Sequence, residues 1–176
     1  MDSAVYTIGH SNHSSETFVR LLTEARIEVL VDVRSNPTSS WVSYANPRDL
    51  KQILEAVGIK YLYLGDVLGG RPDDPECYNL QTGKADYQVM QSKALFQKGL
   101  RRLLEGLKKH RICVMCAEEN PTSCHRNLLV GDGLRREGIK LLHIRGTGQI
   151  QTDEELWKEG VGVETSQLAF PLGDLS

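Results

Sequence analysis

The stretch VLVDVR, at residues 29–34, decides how this chain folds. It is a continuous apolar run that ends in charged residues and is followed by Pro37, a pattern typical of a strand buried on both faces of a parallel sheet. A second run of this kind, ICVMC, lies far downstream at residues 112–116. Two buried strands so far apart favour an α/β protein, in which helices cover both faces of the sheet.

Three further strands and the helices between them follow from the pattern on either side of these runs. Short β-rich segments at residues 5–8, 60–64 and 140–144 are predicted strands. Apolar spacing and capping residues predict helices near Phe18, from Pro47, from Tyr87 to about Lys109, from about Cys124 to Glu137, and from the capping box at 152–155 through Trp157. Crossovers of this length predict a single doubly wound, mostly parallel five-stranded sheet with helices on both faces.

The size and composition fit one globular domain. Of the 176 residues, 40% are hydrophobic and 25% are charged, which argues against a disordered chain or a disulfide scaffold. We interpret residues 1–176 as a single α/β domain. Beyond the fifth predicted strand, residues 145–176 are expected to form a C-terminal extension that Trp157 and Phe170 are suited to dock.

The charge balance and the lack of a long apolar run bear on partners and location. With 21 basic and 23 acidic side chains the net charge is −2, so no overall positive field attracts nucleic acid. No run approaches the ~20 apolar residues of a membrane-spanning helix, and no basic segment precedes a hydrophobic stretch at the start of the chain. We therefore expect a cytoplasmic protein with no membrane partner, and no particular oligomeric state is predicted.

The four cysteines are Cys77, Cys113, Cys116 and Cys124, too few and too unevenly spaced for a disulfide framework. A reducing compartment keeps them as thiols. Cys113 and Cys116 have the spacing of a redox motif, but both lie in a predicted strand, where side chains three apart face opposite sides of the sheet. We therefore reject a redox function for that pair.

Polar side chains follow each predicted strand at its carboxyl end. In an open α/β sheet this edge is where the loops converge and where ligands bind. The sequence therefore predicts a functional crevice at this edge. The residues that reach it are His10, Ser11, Asp32, Arg34, Asp66, Arg71, Cys116, Glu118, Glu119, His143 and Arg145.

The densest group of reactive side chains is CAEENPTSCHR, at residues 116–126. It runs from a strand end to a helix start, where free backbone N–H groups and the helix dipole stabilise an anion. Arg126 would add a two-pronged donor there, and the thiol pKa of Cys124 would be lowered. These features favour a phosphate or carboxylate ligand. The alternative is that Ser123 caps the helix, Arg126 pairs with a nearby glutamate, and both cysteines pack in the core.

Two further interpretations involve histidines. His10 could transfer protons as a general acid or base, but a histidine hydrogen-bonded to loop backbone fits the sequence equally well. The side chains of Cys116, Cys124, His125 and His10 could also supply four zinc ligands from adjoining loops. Their spacing, however, is not that of a zinc finger or a zinc ribbon.

Arg34 and Arg71 are the other candidate anion-binding residues. Asp32 and Arg34 form either an ion pair that orders their loop or a proton acceptor beside a ligand-binding cation. Arg71 follows two glycines, Gly69 and Gly70, which permit close approach of backbone to a ligand. Two glycines are a weak phosphate-loop signal, since neither a GxxxxGK[ST] nor a GxGxxG pattern is present.

Five short motifs, in this order, resemble the family known as domain of unknown function 488. They are TIGHS at 7–11, VDVR at 31–34 with Pro37 and Ser39, LGG at 68–70, CAE at 116–118, and CHR at 124–126 followed by His143-Ile144. The resemblance spans about residues 5–144 and implies a cytosolic α/β domain, but it brings no reaction with it. The motif residues it implies are His10, Ser11, Asp32, Arg34, Cys116, Glu118, Cys124, His125 and Arg126.

Three functional hypotheses follow. In the first, the chain is an enzyme for an anionic, phosphorylated or nucleotide-like substrate; Cys116 or Cys124 is the nucleophile, His10 or His125 transfers protons and Glu118 orients one of them. Arg34 and Arg126 clamp the anion, with Ser11, Asp32 and Arg71 beside them. In the second, the same crevice binds a nucleotide or a nucleic-acid end without chemistry. In the third, the cysteines and histidines hold zinc as a scaffold.

Overall fold

The fold is built on one six-stranded sheet, in a computed structural model that describes residues 3–167. The strands are β1 (Ala4–Gly9), β2 (Val29–Asp32), β3 (Lys60–Tyr63), β4 (Ile112–Cys116), β5 (Lys140–Ile144) and β6 (Ile150–Thr152). They lie in the order β3-β2-β4-β1-β5-β6, and every pair is parallel except β5 with β6. The predicted α/β class with one mostly parallel sheet is confirmed. The sixth strand is an addition to the five that were predicted, because a three-residue edge strand is too short to show a period.

Helices cover both faces of the sheet. They are α1 (Ser15–Glu24), α2 (Pro47–Glu55), α3 (Gly65–Leu68), α4 (Tyr87–Ser92), α5 (Ala94–Leu107), α6 (Asp132–Arg136) and α7 (Asp153–Gln167). A π-helical turn, Arg126–Gly131, leads into α6, and 3₁₀ turns occur at Ser43–Ala45, Pro75–Cys77 and Pro121–Ser123. Among residues 3–167, no helix has the length and the apolar character needed to cross a bilayer.

Alternation along the strands divides the core into two layers. In β4, Ile112 and Val114 pack with residues of α5 and α6, whereas Cys113 and Met115 pack with residues of α1 and α2. All residues of β2 and β4 are buried, as a continuous apolar run in the middle of a parallel sheet should be. The same alternation directs Cys113 and Cys116 to opposite faces of the sheet, which agrees with the rejection of a redox function for this pair.

The connections after β2 and β4 leave the sheet toward opposite faces. Leu50 and Leu54 of α2, which follows β2, pack in the same layer as α1. Leu134 of α6, which follows β4, packs in the other layer with α5. Neighbouring strands whose connections diverge in this way leave a crevice at their carboxyl ends.

The long helix predicted from Tyr87 to Lys109 is two helices, and that prediction is wrong in one respect. The backbone is extended at Lys93, which separates α4 from α5. The Lys93 ammonium pairs with Asp74 and Glu76 of the preceding loop, and these ion pairs hold the break. Because α5 starts afresh after the break, Leu95 turns outward and is 62% exposed, although its spacing placed it on the buried face.

The capping box before α7 is confirmed. The backbone N–H of Thr152 donates to Glu155 Oε2 at 2.8 Å, and the N–H of Glu155 donates back to Thr152 Oγ1 at 3.3 Å. The helix runs well beyond Trp157, where the sequence predicted its end. Trp157 is 69% exposed, so the expectation that it docks the extension is wrong, and Phe170 lies outside the described residues.

Candidate active site

A cavity of about 320 Å³ opens at the carboxyl edge of the sheet, where the sequence predicted a crevice. The loops after β2, β3 and β4 form its walls. A short stretch of α4 and the start of the π-helical turn complete it. Its lining residues are Arg34, Ser35, Asn36, Gly70, Arg71, Tyr87, Cys116, Ala117, Glu118, Ser123 and His125.

The loop after β4 is fixed in place by β1. The backbone N–H groups of His10 and Ser11 donate to the carbonyls of Cys116 and Ala117, at 3.0 and 2.8 Å, so the β1–β4 pairing continues past the strand ends. Gly9 makes this possible, because a Cβ there would lie 1.7 Å from the carbonyl oxygen of Glu118. The position of Cys116 therefore depends on a backbone contact that only glycine allows.

Cys116, His125 and Glu118 form a cluster on the cavity floor. The Cys116 Sγ lies 3.4 Å from His125 Nδ1 and 3.4 Å from Glu118 Oε2. His125 Nε2 lies 2.9 Å from the carbonyl oxygen of Val33, which can only accept a hydrogen bond. Nε2 must therefore carry the proton, and in the neutral imidazole Nδ1 presents its lone pair to the sulfur.

The charge states of this cluster are coupled. Burial lowers the pKa of His125, but interactions with Cys124, Val33 and Glu118 outweigh it, and the net pKa lies above its usual value. Partial burial raises the pKa of Glu118, but hydrogen bonding with Cys124 and Cys116 lowers it. The net pKa lies below the ordinary range. A carboxylate and a readily protonated imidazole thus flank the Cys116 sulfur.

Cys124 lies behind the cavity floor. It is 1% exposed and does not line the cavity. Interaction with Cys116 and burial both raise the pKa of its thiol, whereas the sequence predicted a lowered pKa at a helix start. The prediction fails because the regular turn begins at Arg126, one residue past the His125 cap, and Cys124 is sealed in the interior.

Arg126 holds the loop rather than facing the cavity. It is 1% exposed, and its guanidinium donates to the carbonyl oxygens of Glu118 and Glu119 at 2.5 and 2.8 Å and to Thr7 Oγ1 at 3.3 Å. The expectation that Arg126 clamps an anion is not met, because its donors already satisfy buried backbone carbonyls. The alternative pairing with a glutamate side chain is also not what forms, since the acceptors are backbone oxygens.

Arg34 and Asp32 form the buried ion pair that the sequence left open. Arg34 Nε and Nη2 donate to the two carboxylate oxygens of Asp32, at 2.9 and 2.7 Å, and Asp32 is 0% exposed. Tyr61 Oη donates to the same carboxylate, and Arg34 Nη2 also donates to the Ala45 carbonyl. Of the five N–H groups of Arg34, four are engaged once His10 is counted, and one on Nη1 has no acceptor within residues 3–167.

His10 is a structural histidine in this arrangement. Its Nδ1 donates to the Ser11 carbonyl at 2.9 Å, and its Nε2 accepts from Arg34 Nη1 at 3.2 Å. Burial lowers the pKa of His10, and the Arg34 charge acts in the same direction. His10 is therefore a neutral ring with both nitrogens engaged, which suits neither proton transfer nor the zinc set. Ser11 also lies outside the cavity lining.

Arg71 is the exposed cation of the site. Its backbone N–H donates to Ser35 Oγ at 2.9 Å, which fixes the loop after β3 against the loop after β2. Arg71 lines the cavity, and its guanidinium forms no hydrogen bond or ion pair with any residue among 3–167. Gly70, just before it, sits where a Cβ would meet the His125 ring at 2.8 Å. The two glycines thus do permit a close approach, but to protein groups: Gly69 to Gly65 and Ser35, and Gly70 to His125.

Several lining residues were not singled out from the sequence. Ser35 and Asn36 directly follow the strand-end arginine, and that adjacency was a usable signal. Tyr87 comes from the start of α4, 25 residues before the first residue of β4, and nothing local connected it with the site. Asp66 and His143, which were expected at this edge, lie outside the lining. His143 is fully buried and bonds Thr7 and Asp153 instead.

Fold and site together define an α/β protein with a Cys-His-Glu cluster at the carboxyl edge of a parallel sheet. The profile of a family described as domain of unknown function DUF488 matches residues 14–131, about two thirds of the chain. The chain therefore belongs to the DUF488 family. No curated protein and no solved structure matches it significantly.

Proposed function

We propose that this chain is an enzyme that acts on a small anionic substrate, phosphorylated or nucleotide-like, in the cavity at the carboxyl edge of the sheet. One observation carries the proposal: the same cavity is lined by Arg71, whose guanidinium has no partner in the described part of the chain, and by the cluster of Cys116, His125 and Glu118. A cation to hold the substrate and a group to react with it are the two parts that such a site needs.

Arg71 is the principal anion-binding group in this proposal. Its planar guanidinium is free to form two parallel hydrogen bonds with a phosphate or carboxylate. Arg34 and Ser35 line the same cavity. The Asp32 carboxylate already neutralises the charge of Arg34, so Arg34 would orient a bound anion more than attract it.

The cluster on the floor generates the nucleophile. Of the four cysteines only Cys116 lines the cavity, so it is the one sulfur that a bound substrate can approach. The Val33 carbonyl holds His125 in an orientation in which Nδ1 can accept a proton. The Glu118 carboxylate places a negative charge beside the Cys116 sulfur. This is the pattern of an activated nucleophile, in which a base is itself oriented by a further group.

Buried residues position these groups. Arg126 ties the backbone at Glu118 and Glu119, and the Asp32–Arg34 pair orders the loop that carries Ser35 and Asn36. A cytoplasmic location remains part of the proposal, and the four unpaired thiols fit a reducing compartment. A nucleic-acid end would present the same phosphate chemistry to Arg71.

Protection of Cys116 against alkylation tests the proposal. In the chelator-treated full chain, we expect iodoacetamide to label Cys116, read by peptide mass spectrometry, and inorganic phosphate or a nucleoside monophosphate to slow that labelling. Cys77, Cys113 and Cys124 serve as buried internal references. Arg71→Ala should weaken the protecting effect by roughly 10- to 100-fold in apparent affinity, the usual loss of a charged hydrogen bond.

The matched control is Arg102→Ala, which removes an exposed arginine from α5, away from the cavity. It should protect like the wild type. Labelling of Cys116 that no anion slows, or equal protection in the Arg71 and Arg102 variants, would overturn the proposal. Protection by a short single-stranded oligonucleotide but not by a mononucleotide would favour the nucleic-acid-binding alternative instead.

A further inference from the structure

Cys116 and His125, which the proposed function uses as nucleophile and proton acceptor, also belong with Cys124 to a set of metal-ligand residues. The sulfur atoms of Cys116 and Cys124 and a ring nitrogen of His125 all lie within 4.8 Å of one another. The three come from two ends of one loop, which the Arg126 hydrogen bonds and the β1 pairing hold in place. Their convergence is therefore a product of the fold and not of neighbouring positions in the sequence.

The distances are close to those of a bound ion. Tetrahedral zinc, with bonds of about 2.3 Å to sulfur and about 2.1 Å to nitrogen, places its ligand atoms about 3.5 to 3.8 Å apart. The Cys116 Sγ and His125 Nδ1 are already 3.4 Å apart. Because all three atoms lie within 4.8 Å of one another, closing the set requires shifts of at most about an ångström. Two thiolates and an imidazole form a donor set that selects zinc over magnesium or calcium.

The hydrogen bond that His125 makes behind the ligand atoms also fits a metal site. A histidine that binds a metal through one ring nitrogen normally donates the N–H of the other to a carbonyl or a carboxylate. His125 Nε2 donates to the Val33 carbonyl at 2.9 Å, which leaves Nδ1 directed at the two sulfur atoms. His10, the fourth ligand considered from the sequence, is engaged by Ser11 and Arg34 and does not belong to the set.

We propose that Cys116, Cys124 and His125 bind a zinc ion whose fourth position opens onto the cavity. Three protein ligands with an open position are typical of catalytic zinc, whereas structural zinc is closed by four. Cys116 and His125 line the cavity while Cys124 lies behind them, so the open side of the ion faces Arg71. A water molecule held there has Glu118 within reach as a proton acceptor. A water on the ion, and no longer the Cys116 thiol, would then be the nucleophile, with Cys116 as a ligand; this revises the nucleophile of the proposed function and rests on that function for the substrate.

Metal retention tests the site directly. The wild-type full chain, freed of metal by a chelator and then given Zn²⁺, should retain one zinc per chain after gel filtration, measured by mass spectrometry of the element. Co²⁺ should give thiolate-to-metal charge-transfer absorption and the strong visible bands of a tetrahedral ion. Cys124→Ser should lower zinc affinity by about 100-fold or more, at least the size of second-shell effects.

Cys77→Ser is the matched control, because Cys77 is an equally buried thiol outside the cluster. It should retain zinc like the wild type. Circular dichroism checks that both variants fold. If Cys124→Ser does not fold, the Co²⁺ spectrum of the wild type tests the metal site instead. Failure of the wild type to retain zinc, or equal affinity in the Cys124 and Cys77 variants, would refute the site.

Added phosphate tests the open position and separates the two proposals. It should shift the spectrum of the Co²⁺-loaded chain, and an unchanged spectrum would mean that the coordination is closed. If the metal-free chain shows phosphate protection of Cys116 but holds no zinc, the zinc site fails and the proposed function stands. If zinc binds but phosphate changes neither the spectrum nor the labelling, the metal site stands and the anionic-substrate function fails.

Discussion

At the scale of single residues, Arg34 is a buried cation that supports the site mainly through its hydrogen bonds to other protein groups. Four of its five N–H groups are engaged by Asp32, His10 and the Ala45 carbonyl. The sequence offered two roles for Arg34, and the burial of its partner separates them. A cation at 5% exposure whose carboxylate is 0% exposed is first of all a structural ion pair. Its contribution to the cavity is one remaining donor.

Removing that cation should strongly destabilise the fold. In Arg34→Met the Asp32 carboxylate stays buried with only Tyr61 and backbone donors, and breaking a buried pair from one side costs about 3–5 kcal/mol. Urea denaturation of the variant measures the change in the free energy of unfolding. Arg20→Met, which breaks the exposed Arg20–Glu24 pair of α1, is the control and should change that free energy by no more than about 0.5 kcal/mol. Similar losses in both variants would contradict the assignment.

At the scale of elements, the approach of β1 to the loop after β4 decides where the reactive cluster lies. Gly9 ends β1, and the carbonyl of Glu118 occupies the space of its missing side chain. The helix that the sequence predicted from about Cys124 to Glu137 begins at Arg126 as a π-helical turn and continues as α6, and a 3₁₀ turn precedes it. This irregular path lets Cys116 and Cys124, eight residues apart, face each other across the loop.

Gly9→Ala should therefore displace the loop. A Cβ at 1.7 Å from backbone oxygen cannot be accommodated by side-chain movement, and the variant should lose about 1–3 kcal/mol or more of the free energy of unfolding. It should also lose selective labelling of Cys116. Gly160→Ala is the control, because nothing lies within 4 Å of the added methyl group in α7 and the helix should gain up to about 1 kcal/mol. A Gly9→Ala chain with unchanged stability and labelling would contradict this account.

At the scale of the whole molecule, the segment that follows β5 is hydrogen-bonded to the loop after β4. Arg145, just past β5, donates to both carboxylate oxygens of Glu119 at 2.9 and 3.0 Å, and the Gly146 N–H donates to the same group. Hydrogen bonding with Arg145 lowers the pKa of Glu119 to about 2. The far edge of the sheet therefore helps to hold the loop that carries Glu118.

This link makes stability depend on acid pH with a definite sign. The folded-state pKa of Glu119 lies below its unfolded value of ~4.3, so the carboxylate stabilises the fold above that pH. The stabilisation is lost as the pH falls from about 4.3 toward 2. Glu119→Gln should be less stable than the wild type at pH 7, and the difference in unfolding free energy should shrink between pH 4.5 and pH 2.5.

Chemical denaturation across that pH range measures the effect. Arg145→Gln removes the partner and should show the same loss of pH dependence, since the two residues form one interaction. A stability difference between wild type and Glu119→Gln that stays constant from pH 7 to pH 2.5 would contradict the role of the ion pair.

The fold was predictable because it is written in local patterns. The runs at 29–33 and 112–116 are apolar throughout because both faces of their strands are covered, and crossovers between parallel strands leave few arrangements. Two predictions failed, one because of phase and one because of length. The helical spacing that placed Leu95 on the buried face ignored the break at Lys93, and the three residues of β6 are too few to show a period. The carboxyl edge followed from topology alone, so the location of the cavity was predicted with the fold.

The sequence by itself therefore determined the α/β sheet, its carboxyl-edge crevice and the presence there of Cys116, Glu118 and His125. Only the tertiary structure decided which polar residues face the crevice. Arg126 and His10 have the chemistry of site residues, but burial and hydrogen-bond partners assign them to the framework. Side-chain direction and the satisfaction of buried donors depend on contacts between distant segments, and a local pattern does not contain them. The same long-range packing brings the two sulfurs and the imidazole together.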